Sequence, residues 1–532
     1  MIDHNFNLYI LRCLLIVVGL SALPKLLQGQ DSKAQNPIIH ADVPDWSIIR
    51  VDDTYYMSST TMHMSPGLPI MKSKDLVNWE IIGYAYETLA DKDDVNLSNG
   101  KNMYGRGSWA SCLRYNQGTY YVSTFSATTN KTYVFTTDDI ESGQWMQHSF
   151  EPSLHDHTIF FDDDGKIYII WGGGQLKIAE LKPDFSGLVD GSERVLIENA
   201  HAPIKTEIML NAEGSQLFKV NGKYYLFNIA WPRGGMRTVI IHRADKITGP
   251  YEGRVAFEDK GVAQGGLIET PEGNWFAFLF RDYGAVGRIP YLVPVQWVDG
   301  WPIIGEDGKV PETLDLPANN SLIPGIVSSD EFNRKKKDPK LPLVWQWNHN
   351  PNNDLWSLDS RAGYLRLTTG RIDNSIVEAR NTLTQRTIGP ECSGITSIDA
   401  SGMKEGDFAG MVMLQQQYGY VGVTIEDGKK SILMVRNQSK GDEPKVEERI
   451  ALNQDVLFLK VVGDFKERRD IATFYYSLDG KSWNKIGSEL QMRYTLPHFM
   501  GYRFGLFNYA TKYIGGYADF DYFRISDQID NK

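Results

Sequence analysis

The chain has 532 residues, of which 42% are hydrophobic and 12% aromatic, and a formal net charge of −11. That length exceeds what one hydrophobic core supports and predicts two domains. The acidic balance excludes nucleic acid as a partner, because phosphate binding needs clustered Lys and Arg.

Residues 1–30 stand apart. An apolar run from Leu8 to Leu23, interrupted by Arg12, is followed by Leu26-Leu-Gln-Gly-Gln30. This has the form of a signal peptide cut near Gly29 or Gln30 and predicts export to a periplasm or to the exterior. The run is short for a membrane span and has no second copy, so no membrane attachment is expected. Cys13 lies inside it without a small residue before it, which argues against a lipid anchor.

Residues 31–310 carry one pattern five times, roughly 40–65 residues apart, the mark of a propeller or array. Each copy runs from a polar or aromatic residue, through a small residue two places on, an apolar strand and a tight turn, to an aromatic pair or its equivalent. The copies begin at Asp45, Trp109, Asp156, Glu213 and Gln264 and end at Tyr56, Tyr121, Tyr168, Tyr225 and Phe276. Turns such as Gln117-Gly118, Asp164-Gly165, Asn221-Gly222 and Glu272-Gly273 join paired strands with the matching twist, so each copy reads as a β-hairpin. A lone hairpin buries too little apolar face to stand in water. Five arranged radially do not have that problem, and the expected fold is all-β, a five-bladed β-propeller. The first strand of each blade would line the channel, and the ring at its mouth would be Asp45, Trp109, Asp156, Glu213 and Gln264. One Asp beside a strand is ordinary turn chemistry. Three acids at equivalent positions crowd like charges and raise at least one pKa, which points to a functional site.

The stretch 311–327, rich in Pro, Asn and Ser, reads as a linker. From Ser328 to Lys532 the texture becomes short alternating strands, among them Gly363–Thr368, Ala409–Leu414, Tyr418–Val423, Val456–Val461 and Ala472–Ser477. Asp-Gly turns separate them and Gly515–Ile525 would be the closing strand; the pattern predicts a β-sandwich. The basic run Arg334–Lys337 is expected to be a solvated loop. Cys112 and Cys392 lack both a disulfide partner and zinc spacing, so buried free thiols are expected.

Cleaving a glycosidic bond takes two carboxyl groups in opposite protonation states, roughly 6.5–9.5 Å apart when water attacks directly. A third acid nearby can raise the donor's pKa. Here the chain resembles glycoside hydrolase family 43, on the motifs Asn36–Arg50, Ser73–Glu80, Asp156–Gly165, Glu213–Lys219 and Gly287–Tyr291. The resemblance spans nearly all of the chain after residue 30. It implies a five-bladed propeller followed by a concanavalin-like β-sandwich, cleaving α-L-arabinofuranosides or β-xylosides with inversion, the former favoured, from plant cell-wall oligosaccharides. It assigns Asp45 as general base, Glu213 as general acid and Asp156 as the acid that tunes pKa and orients substrate. Arg288 matches an arginine that reaches into the sugar pocket, and Trp46, Trp109, Gln264 and Arg288 form the expected substrate-contacting set. The chain departs from the family in Trp46, His157 and Ser215-Gln216, neighbours of the acids that shape the pocket.

No cofactor and no catalytic metal is expected, though a structural calcium is compatible. The partner is an oligosaccharide, and the oligomeric state is open. A non-catalytic sugar-binding protein is the rival reading. Asp42 competes with Asp45 but lies outside the repeat register. Asp162, Asp163 and Asp164 are explained by the turn before Lys166 more simply than by calcium. Glu207 lacks the step to a tyrosine pair that Glu213 keeps. His63 and His201 have no partner spacing that singles them out.

Overall fold

The computed structural model describes residues 33–334, 340–438 and 443–529. The expected signal segment, and Lys335–Lys337 of the basic run, lie outside them. Lys33–Lys532 forms one compact unit. The fold is a five-bladed β-propeller with a concanavalin-A-like domain.

Each blade is a four-stranded antiparallel sheet whose strands follow chain order. The innermost strands are Ser47–Val51, Cys112–Asn116, Thr158–Phe161, Ile208–Val220 and Ala263–Glu269, in blades I to V. Each packs on the innermost strand of the next blade, and that of blade V packs on that of blade I, so the ring is closed. The hairpins pair in the register the repeats imply: Tyr56 lies opposite Ile49, Tyr121 opposite Arg114 and Tyr225 opposite Phe218. Asn221 and Gly222 both have positive φ (49° and 77°), as a type I′ turn requires. Large aromatic and aliphatic side chains fill the space between blades, with Phe135, Phe227 and Phe278 essentially inaccessible.

The expected linker is ordered. Thr313–Pro317 pairs antiparallel with Lys33–Gln35, and Asn36 donates from its amide to the carbonyls of Leu292 and Pro311. Composition alone suggested a solvated connection. Next to a buried strand end, however, the segment's backbone groups must find partners, and the N-terminal strand supplies them.

The second domain is two eight-stranded sheets. One of them ends on Met64–Ser65, a short strand from the propeller, through Trp347 opposite Ser65. The two domains therefore share a sheet and one continuous apolar core. Cys112 and Cys392 are buried free thiols. Among the described residues no helix is long and apolar enough to cross a membrane.

Candidate active site

Asp45 and Asp156 stand two residues before their strands and Gln264 is the second residue of its own, with φ of 50°, 47° and 60°. This left-handed backbone costs roughly 1–3 kcal/mol per residue and persists only where the surroundings enforce it. Its recurrence at one repeat position, at the start of an innermost strand, brings these three side chains to one cavity. Glu213 gets there by another device. Its long strand carries register shifts on both sides of it, and bulges re-aim side chains beside active sites.

A narrow cavity is lined by Asp45, Asp156, Gly214, Gln216 and Gln264. Beneath it the channel is closed: Gln216 accepts from Ser47 at 3.4 Å and donates to the Ser111 carbonyl at 3.4 Å. The Arg114 guanidinium donates to Thr158 at 2.7 Å.

Asp45 is buried. Its Oδ1 accepts from Gln264 Nε2 at 2.8 Å and its Oδ2 from Arg288 Nη1 at 2.6 Å. Burial raises the Asp45 pKa, with Arg288 and then Arg237 pulling against it. Burial works most strongly against charge on Arg288, but Asp45 together with Tyr494, Asp42 and Asp282 offsets it and the guanidinium pKa is raised. Asp156 is buried too, and its Oδ2 accepts from the Gly214 N–H at 3.0 Å. Burial pushes its carboxyl well above the usual range; His155 opposes the shift, and Glu213 and Asp45 reinforce it. Glu213 reaches farther out, and its Oε2 shares a 3.0 Å hydrogen bond with His155 Nε2, in which either group can hold the proton. Burial disfavours charge on His155, but Asp156 and Glu213 outweigh it and raise its pKa. Gly214 has φ of 68°, and a Cβ there would lie 3.0 Å from Gln264.

The sandwich domain contributes Phe499. Its ring stacks on Trp109 with centroids 5.2 Å apart, and the Arg288 guanidinium sits 4.6 Å from its centroid. Its carbonyl accepts from Arg288 Nη2 at 3.3 Å. The loop is held by Asp42, whose carboxylate accepts the N–H groups of Arg288 (2.7 Å) and Gly501 (3.0 Å).

The three acids expected from the repeat thus come together, with Gln264 and Arg288 on Asp45 and Trp109 beside His155, 6.3 Å between ring centroids. Trp46, expected among the substrate contacts, lines the same cavity, is 1% exposed and packs edge-on against Phe278. Asp42 fastens the two domains together. Asp162 accepts from Lys219 and Tyr224, and Glu207 pairs with Arg233 at the surface. His157 is buried between Leu154 and Ser123, and burial lowers its pKa to about 4.

His155, Phe499, Arg237 and Asp282 were not legible from the repeat. His155 stands one place before the register position, and Phe499 belongs to another domain. Among the described residues His155, Asp156 and Glu213 alone bring three potential metal-binding atoms together, within 4.8 Å. The His155–Glu213 hydrogen bond already accounts for that closeness.

A closed five-bladed propeller in which two carboxylates line one cavity and a third stands beside them, each from a different blade, defines a class of glycosidic-bond hydrolases. The chain belongs to glycosyl hydrolases family 43: the family model matches residues 34–302, and that of the beta-xylosidase C-terminal concanavalin A-like domain matches 329–526. A beta-xylosidase from Formosa agariphila is 30% identical over 92% of this chain and 89% of its own length. A non-reducing end alpha-L-arabinofuranosidase from Bacteroides ovatus is 27% identical over 81% of this chain and 82% of its own. A solved bifunctional GH43-CE protein of Bacteroides eggerthii is 64% identical with a TM-score of 0.92. It aligns with 94% of this chain, which spans 64% of that protein's length.

Proposed function

We propose that this glycoside hydrolase is an exported, exo-acting enzyme that releases a terminal pentose from plant cell-wall oligosaccharides by direct displacement with water. The observation that carries the reading is the convergence of Asp45 and Asp156 on one cavity, with Glu213 beside them through His155, whose Nε2 is 3.0 Å from Glu213 and 3.9 Å from Asp156. Asp45 is the base. Arg288 and Gln264 occupy one acceptor site on each of its oxygens, and a carboxylate retains further lone pairs for a water proton. Glu213 is the acid. The proton shared with His155 lies within a 3.0 Å hydrogen bond of the carboxyl oxygen that must deliver it. Asp156, uncharged over a wider pH range than an ordinary Asp, can donate to a sugar hydroxyl and limits repulsion on Glu213.

Resemblance alone favoured α-L-arabinofuranose as the released sugar. The relatives named beta-xylosidase lend support to β-xylose, and the Bacteroides ovatus relative keeps arabinofuranose as the second reading. Nitrophenyl β-D-xyloside and α-L-arabinofuranoside separate the two. Asp45→Asn is expected to lower kcat by about 10²–10⁴-fold with KM within a few-fold, because it removes the base and little binding. Wild-type turnover by that variant would remove Asp45 from the chemistry. Proton NMR of the first-formed anomer tests inversion.

A further inference from the structure

Gln264 stands between two groups of opposite hydrogen-bonding character. On one side is the Asp45 carboxylate, 2.8 Å from Nε2. On the other is the Arg237 guanidinium, with Nη1 3.5 Å from Oε1. An ionised carboxylate only accepts and a guanidinium only donates. An amide between them therefore has one satisfactory orientation, NH2 toward Asp45 and carbonyl toward Arg237. Arg237 is itself held. Its Nε lies 2.7 Å from Asp282 Oδ2, and its side chain is 14% exposed. Its guanidinium sits 5.5 Å from the centroid of the Trp231 ring. Asp282 ends one strand of blade V directly opposite Arg288 on the next strand, so both arms that reach Asp45 start from one residue pair.

We propose that Arg237, anchored by Asp282, is a positioning residue that locks the Gln264 amide with its NH2 on Asp45. The inference rests on the reading of Asp45 as base. Arg237 acts through Gln264 and not on the sugar. Without it, the amide turns freely whenever Asp45 takes up a proton, and its carbonyl can then accept from the protonated carboxyl and stabilise the inactive form. The other charged or titratable groups facing Asp45 are Arg288 and Asp282 of blade V, His155 and Asp156 before blade III, and Tyr494 of the sandwich loop. None of them touches Gln264 Oε1.

The test is a double-mutant cycle on the pH profile of kcat/KM for nitrophenyl pentosides, using the full chain. Arg237→Ala is expected to lower kcat/KM about tenfold and to move the acid limb to higher pH, because the protonated form of Asp45 gains a partner. In a Gln264→Ala background the same change is expected to cost less than about twofold and to move the limb less, by the direct loss of the Arg237 charge alone. Equal losses in both backgrounds, as an arginine that grips the sugar would give, would overturn the proposal. So would an unmoved acid limb in the single variant. Should Arg237→Ala fail to fold, Arg237→Met, which keeps the bulk of the side chain and removes the guanidinium, carries the same comparison, with a shift in the same direction. An inactive Asp45→Asn beside an additive cycle would reject the lock alone, whereas an active Asp45→Asn would reject the base itself.

Discussion

At the scale of single residues, the site holds buried charges in a state their surroundings barely support. Arg288 and Asp45 are both almost fully inaccessible and 2.6 Å apart. Removing one member of such a pair leaves the other unpaired and costs about 3–5 kcal/mol. Arg288→Ala is therefore expected to destabilise the fold by that amount in denaturant titrations, and Asp45→Asn in the same background should recover most of it. An additive pair of losses would show that the guanidinium stabilises by packing on Phe499 instead. Asp156 carries the opposite sign. Its folded pKa is raised, so the fold favours the protonated form. Stability is greatest below the ordinary carboxylate pKa and declines as pH rises toward the raised value. Asp156→Asn removes that penalty, and its melting temperature relative to wild type should climb between pH 4 and pH 8. A constant difference across that range would mean Asp156 titrates as a normal carboxylate.

At the scale of elements, the strands of blades III to V set distances that their side chains only exploit. Glu213 sits on a strand with register shifts on both sides, and the adjacent Gly214 serves two neighbours at once. Its N–H donates to Asp156, and its missing side chain leaves room for Gln264. Gly214→Ala would meet an unfavourable left-handed φ at roughly 1–2 kcal/mol and press on Gln264 at 3.0 Å. The expected outcome is a fall in kcat/KM of about tenfold or more with a small drop in melting temperature. A variant that melts early yet turns over normally would place the need for glycine in the backbone alone.

At the scale of the whole molecule, the sandwich is part of the site and of the fold. Its sheet continues into Met64–Ser65, its apolar core merges with that of the propeller, and Phe499 reaches Trp109 and Arg288. Residues 31–327 expressed alone would expose that shared core and leave the mouth open on one side. They are expected to aggregate and to lack activity, read by light scattering and nitrophenol release. A soluble, fully active propeller would show that Phe499 and the shared sheet are dispensable.

The sequence by itself determined the all-β class, the five blades and the ring of Asp45, Asp156 and Glu213. A radial fold converts a linear repeat into a circle, so equal register along the chain becomes shared position around an axis. Only the tertiary structure decided the partners of that ring. His155 lies outside the register, Phe499 comes from a domain with no repeat, and Arg237, paired with Asp282, meets Gln264 from strand ends that no local pattern marks. It also decided that Trp46 is core and that the expected linker is a strand. Burial and pairing depend on which surfaces the closed ring leaves free, and that is set by packing among segments hundreds of residues apart.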